Sequence, residues 1–338
     1  MSDIDASGDP RSTAGLFRLE RFGLVEVTGS DRVGWLNGMV SNDVAVLEPG
    51  HERSGCHAAL LTNRGAIVAD LHVVARDDRF WLLVERSALS GAVAALEKFI
   101  VADDVSLEDA SASRAQWTLE GPAAPAVLAA LGVDTTELAS GAATDAELAG
   151  VPVVLVAVGL SGEWARRIIA PAASRDAVEA ALLEAGAGIG LELGGDVALE
   201  VLRVEAGTPR QGLELDEDVL PDEARLESAI STTKGCYVGQ EIVARLRSRG
   251  QVNHLLVGLH FEGAAPAAGT VLTVGDKRTG EITSVADSPR SGAIALGYVR
   301  REHSEPGTAV DAEGRDGEVR ALPFVEPTPL RDARDTIT

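Results

Sequence analysis

The sequence predicts an α+β fold that ends in an all-β module, and three observations carry that prediction. Up to Gly250, segments with strand-like alternation are interleaved with amphipathic stretches at helical spacing. Several of those segments are joined by tight turns, at Asn63-Arg64-Gly65 and Asp77-Asp78, which suit antiparallel neighbours and α+β sandwiches rather than a doubly wound parallel sheet. Beyond Gly250 only short apolar runs between Gly and Pro turns remain, without a convincing helix, which predicts a small barrel.

Leu24 to Thr28 alternates as a half-buried strand does, and Gly29-Ser30-Asp31 turns into a helix with Val33, Leu36, Met39 and Val40 on one face. Ser30 or Asp31 is placed to cap it. After a turn at Pro49-Gly50 come strands over Cys56–Leu61, Ala66–Ala75 and Phe80–Val84. Leu89, Val93, Leu96 and Phe99 then mark a helix against that sheet. A second unit follows, with strands at Gln116–Leu119, Val151–Val158 and Arg166–Ala170. Its helices are Pro122–Leu131, Ser174–Ala185 and Val197–Val204. The closing module carries strands at Leu255–Phe261, Val271–Val274, Gly280–Val285 and Ala293–Val299. No internal repeat or low-complexity tract stands out.

Composition excludes several function classes. A chain of 338 residues with 45% hydrophobic and 24% charged content has the make-up of a globular protein with room for two or three cores. The longest apolar run, Gly150 to Leu160, is too short to span a bilayer. Met1 to Ala14 is polar and acidic, which predicts a disordered tail and not a signal peptide. A formal net charge of −22 argues against broad binding to nucleic acid or anionic membranes, which needs a positive field. Two cysteines make no disulfide framework and point to reduced thiols in a cytoplasm. The six histidines show no zinc spacing with cysteine, and there is no Walker loop, dinucleotide glycine fingerprint or nucleophile elbow.

The most informative stretch is Lys234-Gly235-Cys236-Tyr237-Val238-Gly239-Gln240-Glu241. It sets a cysteine between glycines ahead of an expected helix, Glu241 to Ser248. Unpaired N–H groups at a helix start favour thiolate, so Cys236 is a candidate reactive sulfur. The alternative is a small apolar filler in the core. Lys234 and Arg245 could lower the thiol pKa or hold an anionic ligand tail. Arg245 and Arg249 share a helical face while Arg247 points elsewhere, so a solvated helix end is the competing reading.

Further motifs add a resemblance. Asn42-Asp43, Gly65-Ala66-Ile67-Val68-Ala69-Asp70-Leu71, Leu119-Glu120-Gly121-Pro122 and Leu202-Arg203-Val204-Glu205-Ala206-Gly207-Thr208-Pro209 follow in order. With Gly280-Glu281-Ile282-Thr283-Ser284 and Ala295-Leu296-Gly297-Tyr298-Val299 they resemble folate-binding proteins of the glycine-cleavage T-protein (aminomethyltransferase) superfamily, from about Leu16 to Phe324. Aminomethyltransferases usually carry Lys-Gly-Asp-Phe-x-Gly-Arg-Glu at the octapeptide. The form with Cys236, Tyr237 and Gln240 is similar to the YgfZ branch, tied to maintenance of iron–sulfur enzymes and, through them, to tRNA modification.

The resemblance implies a cloverleaf of three domains around a central folate channel. A first α+β domain would take residues 15–48 and 118–205, a second 49–117 and 206–250, and the C-terminal β-barrel 251–328, with tails at 1–14 and 329–338. It implies tetrahydrofolate, or a one-carbon-substituted folate, as ligand. Glu205 is expected to accept the pterin's paired N–H donors in a bidentate bond; the alternative is a helix carboxylate paired with Arg203 or Arg210. Asp70 is expected to steer the one-carbon unit or accept a proton, or else to be a polar residue on a strand face. Lys234, Tyr237, Gln240 and Arg245 complete the expected ligand set, and Cys236 would be the reactive or partner-contacting thiol. One thiolate cannot hold an iron–sulfur cluster alone.

The leading expectation is therefore a folate-dependent accessory factor that supports iron–sulfur cluster assembly or repair. Its partners would be iron–sulfur client or assembly proteins, with no direct nucleic acid or membrane contact, and the chain would act as a cytoplasmic monomer. The runner-up is an aminomethyltransferase moving a one-carbon unit from a lipoyl-bound or amine donor to tetrahydrofolate through Asp70. A third reading is a non-catalytic folate sensor.

Overall fold

A computed structural model describes residues 9–328. The expected tails at 1–8 and 329–338 lie outside the described residues. Within residues 9 to 14, expected to be part of a disordered tail, Arg11 and Ala14 are instead buried. Arg11 is 1% exposed, and its Nε and Nη1 reach Glu205 and Glu163 at 2.5 and 2.8 Å.

The chain order is β1 (Gly15–Arg18), β2 (Phe22–Thr28), α1 (Arg32–Met39), β3 (Gly55–Leu61), β4 (Ile67–Arg76), β5 (Arg79–Glu85), α2 (Arg86–Glu97) and β6 (Ser106–Asp109). Then come β7 (Arg114–Glu120), α3 (Ala124–Ala130), β8 (Ala143–Leu148), β9 (Val151–Val156), β10 (Ala165–Pro171), α4 (Arg175–Gly186), β11 (Glu192–Gly194) and α5 (Asp196–Ala206). A long irregular segment leads to α6 (Gln240–Arg249). The module that follows holds β12 (His254–Phe261), β13 (Val271–Val274), β14 (Lys277–Ser288), β15 (Gly292–Arg300), β16 (Ala309–Asp311) and β17 (Asp316–Arg320).

The α+β expectation holds. One sheet runs β3-β4-β5-β2-β6, a second runs β11-β1-β7-β10-β9-β8, and β12 to β17 close into a barrel. Each sheet buries one face under its helices. Val25, Leu60, Val73 and Leu82 pack with Leu36 of α1 and Leu96 of α2. In the second sheet Trp117, Leu155 and Ile168 pack with Val127 of α3 and Leu182 of α4. The opposite faces meet each other through Leu24, Val74, Leu83, Val156 and Ile169. Strands buried on both faces read as continuous apolar runs, and Val151-Pro152-Val153-Val154-Leu155-Val156 is one of them.

The barrel is tied to α5 by a buried polar network. Glu214, fully buried, accepts hydrogen bonds from Thr283 and Ser284 of β14 and from Arg203 of α5. Buried charges persist where they are paired and hydrogen-bonded, and every oxygen of Glu214 is so occupied. No helix among the described residues is long and apolar enough to cross a membrane.

Candidate active site

Between the two sheets lies a cavity of about 860 Å³, within the range of small-molecule sites. Its walls come from β3 and β4, the end of β5, the β9–β10 loop with the start of β10, and the segment after α5. Six arginines line it: Arg21, Arg166, Arg167, Arg203, Arg210 and Arg225. Only three carboxylates do, those of Asp70, Glu85 and Glu163. The cavity is thus locally cationic within an acidic chain.

Asp70 is placed by strand register. His57 of β3 lies opposite His72 of β4, and Ala59 lies opposite Asp70. His57 and Asp70 are therefore diagonal neighbours on one face, close enough for long side chains to meet. His57 Nε2 stands 2.5 Å from Asp70 Oδ1, and both side chains are 29% exposed. On the other side of the ring, Nδ1 lies 2.9 Å from Ser228 Oγ. Burial alone would lower the His57 pKa, but the charge and hydrogen bond of Asp70 outweigh it and raise it. The Asp70 N–H donates to Gln211 Oε1 at 3.1 Å. Asn42 Nδ2 donates to the carbonyls of His57 at 2.7 Å and Ser228 at 3.0 Å, fixing the two segments that grip the imidazole.

Neighbouring titratable groups are held neutral. His72 is buried and donates from Nε2 to the Gly141 carbonyl at 2.7 Å. Burial pushes its pKa down to about 4, partly offset by that bond. Cys56 also lines the cavity, and burial pushes its thiol up to about 12.

Of the seven residues singled out by sequence, Asp70 lines the cavity and the other six do not. Cys236 is exposed, four positions ahead of α6, and does not face the cavity as expected. Lys234 turns its ammonium to the carbonyls of Asn37, Val40 and Asn42 at 2.6, 2.8 and 2.7 Å. Tyr237 is buried among Leu61, Ile67 and Val243. Gln240 opens α6, and Arg245 pairs with Glu241 on that helix's exposed side at 2.6 Å. Glu205 is 1% exposed on α5; Arg11 and Ser288 each bond one of its oxygens at 2.5 Å, and neither alternative partner, Arg203 or Arg210, does so. The octapeptide is spent on packing. Lys234 ties it to the end of α1. Gly239 seats α6 against the β3–β4 turn, where it has a φ of +85° and a Cβ would come within 2.7 Å of the Thr62 carbonyl.

The sequence reading passed over His57, Ser228, Gln211, Arg21 and Arg167. A histidine at alternate position to the β4 aspartate across a hairpin was the available signal for His57. The arginines gave none, because their meeting depends on contacts between distant strands.

The GCVT N-terminal domain family matches residues 8–234, and the glycine cleavage T-protein C-terminal barrel domain family matches 255–328. An aminomethyltransferase of Streptomyces avermitilis is 33% identical over 326 residues, covering 93% of this chain and 87% of that protein. One from Bacillus subtilis is 30% identical over 316 residues, covering 92% and 86%. The crystal structure of the glycine cleavage system aminomethyltransferase T from Bartonella henselae superposes with a TM-score of 0.83 at 28% identity, covering 95% of this chain and 89% of that one.

These relatives correct the leading expectation. Near-full-length similarity runs to proteins named for aminomethyl transfer, the runner-up reading, and neither the iron–sulfur nor the tRNA association finds support. The accessory-factor reading leaned on the octapeptide, which stands outside the cavity.

Proposed function

This chain belongs to the glycine cleavage T-protein family, and from that premise we propose that it is a tetrahydrofolate-dependent aminomethyltransferase. The donor is an aminomethyl group carried on a reduced lipoyl arm, and the products are methylenetetrahydrofolate, ammonia and the free dithiol. The observation that carries this reading is the Asp70 carboxylate, held by His57 on the wall of a cavity large enough for a folate.

The lining suits such a ligand. Buried donors at Arg21 Nη2 and at Trp164 Nε1 have no hydrogen-bond partner among the described residues. Buried polar groups are ordinarily satisfied, so these are donors waiting for acceptors on a bound molecule. Tetrahydrofolate, when bound, would supply the pterin ring nitrogen and the neighbouring arylamine nitrogen that together take up the one-carbon unit.

The chain's own residues handle the proton. His57 Nε2–H donates to Asp70 Oδ1, which fixes the carboxylate and leaves Oδ2 without a protein partner among the described residues. Oδ2 is then the atom that accepts a proton from, or steers charge toward, the reacting amine. The acceptor-only Asp70 carboxylate requires the proton on Nε2. The Ser228 hydroxyl, able to donate or accept, holds the far ring nitrogen in either protonation state. The three departures of the octapeptide from the aminomethyltransferase pattern, at Cys236, Tyr237 and Gln240, lie away from this chemistry. They mark a sequence likeness to the YgfZ branch and no more.

The test measures methylenetetrahydrofolate formed from an aminomethyl-lipoyl carrier protein. Asp70→Asn should lower turnover by about 100-fold or more, the usual range for removing a general acid–base group, while Cys236→Ala keeps it. Full turnover in Asp70→Asn would overturn the reading.

A further inference from the structure

We propose that the cavity contains a subsite for a carboxylate group of the ligand, seated on the guanidinium of Arg167. Arg167 belongs to β10, is 5% exposed and lines the cavity. Its Nε is buried without a hydrogen-bond partner, and no carboxylate lies within ion-pair reach of the side chain among the described residues. Its one close neighbour of note is the Phe22 ring, 4.2 Å from the guanidinium carbon. Arg21 approaches the same ring at 5.6 Å. Two cations thus share one aromatic side chain at the cavity wall.

The surrounding charges do not supply the missing partner. Arg21, Arg203 and Arg210 are matched by Glu85, Glu200 and Glu214 in shared ion pairs. Glu120 offsets part of the Arg167 charge from a distance. Its own oxygens are taken by the Thr118 hydroxyl and the N–H groups of Leu160 and Ser161. Arg166 and Arg225 also lack a carboxylate but donate to the carbonyls of Ala165, Thr135 and Leu256. Among the described residues Arg167 is therefore the lining arginine with neither a carboxylate nor a hydrogen-bond acceptor. Burial pushes its pKa down only to about 10, so it stays charged at neutral pH. A buried charge left unpaired is unfavourable, and a planar fork of donors matches a carboxylate bidentately. The Phe22 ring backs the guanidinium and leaves its edge for one planar anion.

Naming the carboxylate as one on the glutamate tail of tetrahydrofolate rests on the proposed function; the anion subsite itself does not. Calorimetry on the full chain separates the two, using tetrahydrofolate, a tetrahydropterin without any carboxylate, and glutarate as a free dicarboxylate. The variants are Arg167→Gln and Arg167→Lys. The proposal expects Arg167→Gln to weaken tetrahydrofolate at least tenfold, Arg167→Lys to restore part of that loss, and tetrahydropterin affinity to stay unchanged. Glutarate binding to wild type but not to Arg167→Gln, with no tetrahydrofolate binding at all, would keep the subsite and remove the folate. Equal tetrahydrofolate affinity in wild type and Arg167→Gln would overturn the subsite and keep the folate. Thermal unfolding without ligand guards against misfolding: an unsatisfied arginine predicts that Arg167→Gln melts no lower than wild type. A clear drop would mark Arg167 as structural and overturn the proposal.

Discussion

The Lys234 ammonium sits 2.7 Å from the Asn42 carbonyl, and the same nitrogen reaches two more carbonyls at the end of α1. Three acceptors converging on one nitrogen call for three donors, which only the charged amine offers. Burial pushes the Lys234 pKa down to about 8, so it remains mostly charged at neutral pH. This lysine is a clamp that orders the stretch carrying Asn42, and Asn42 in turn holds His57 and Ser228 in place.

Lys234→Met should therefore cost stability more than ligand affinity. Loss of three charge-assisted bonds that leaves the carbonyls half-buried is worth about 3 kcal/mol. Urea unfolding at pH 7 reads the first effect and calorimetry with tetrahydrofolate the second. A lysine that bound the ligand's anionic tail would show the reverse pattern.

The two thiols should separate cleanly under alkylation. Cys236 is exposed, whereas Cys56 is half-buried with its pKa pushed up to about 12. Thiolate is the reactive form, so iodoacetamide at pH 7.5 should label Cys236 first, as seen by peptide mass mapping. Aminomethyl transfer should survive that single modification. Activity lost in step with Cys236 labelling would return the sulfur to the mechanism.

Much of the fold was legible because its signals are local. The helices α1 to α6 and most long strands follow from spacing and turn residues read in sequence. The shortest strands were not. Gly15–Arg18 and Glu192–Gly194 are three or four residues long and pair only with strands far along the chain, and Ala309–Asp311 is too short for its alternation to show. The pairing of Phe22–Thr28 with Arg79–Glu85 likewise has no local cause.

The site was half legible for a related reason. Asp70 stood out by motif, but its partner depends on a register irregularity between Leu60 and Leu61. Counting back evenly from the Asn63-Arg64-Gly65 turn sets Leu61 against Ile67 and would put His57 opposite Leu71, on the other sheet face. The extra residue at Val68 shifts the register by one and brings His57 beside Asp70. Arg11 eluded a reading of composition, since an acidic, polar start suggests a tail. Its burial depends on Glu163 and Glu205, both far along the chain.

Gly239→Ala should destabilise the protein although nothing near it is catalytic. The residue holds a φ of +85°, and a Cβ there meets the Thr62 carbonyl at 2.7 Å and Leu61 at 3.0 Å. Left-handed strain of about 1–2 kcal/mol adds to a backbone clash that only movement of α6 relieves. Gly235→Ala, with open space around it, serves as the control. A melting temperature lowered by several degrees for Gly239→Ala and unchanged for Gly235→Ala is expected; equal shifts would count against close packing as the reason for the glycine.

His57 and His72 stand opposite each other on β3 and β4 yet should respond to acid in opposite senses. His72 has a folded pKa of about 4 against an ordinary value near 6.5, so the unfolded chain takes up its proton first. Its contribution thus falls as pH drops below 6.5, by about 2 kcal/mol at pH 5. His57 has its folded pKa raised, so the folded chain takes up the proton first. The stability it adds is complete below the unfolded value and is lost as pH rises through the folded one. Urea midpoints at pH 5, 6, 7 and 8 distinguish the two, because repulsion from the acidic chain cancels when each variant is compared with wild type. His72→Gln should flatten the acid loss, and His57→Gln should steepen it. A His57→Gln curve running parallel to wild type would mean that the imidazole gains no proton on folding, and the charge-assisted hold on Asp70 would have to be abandoned.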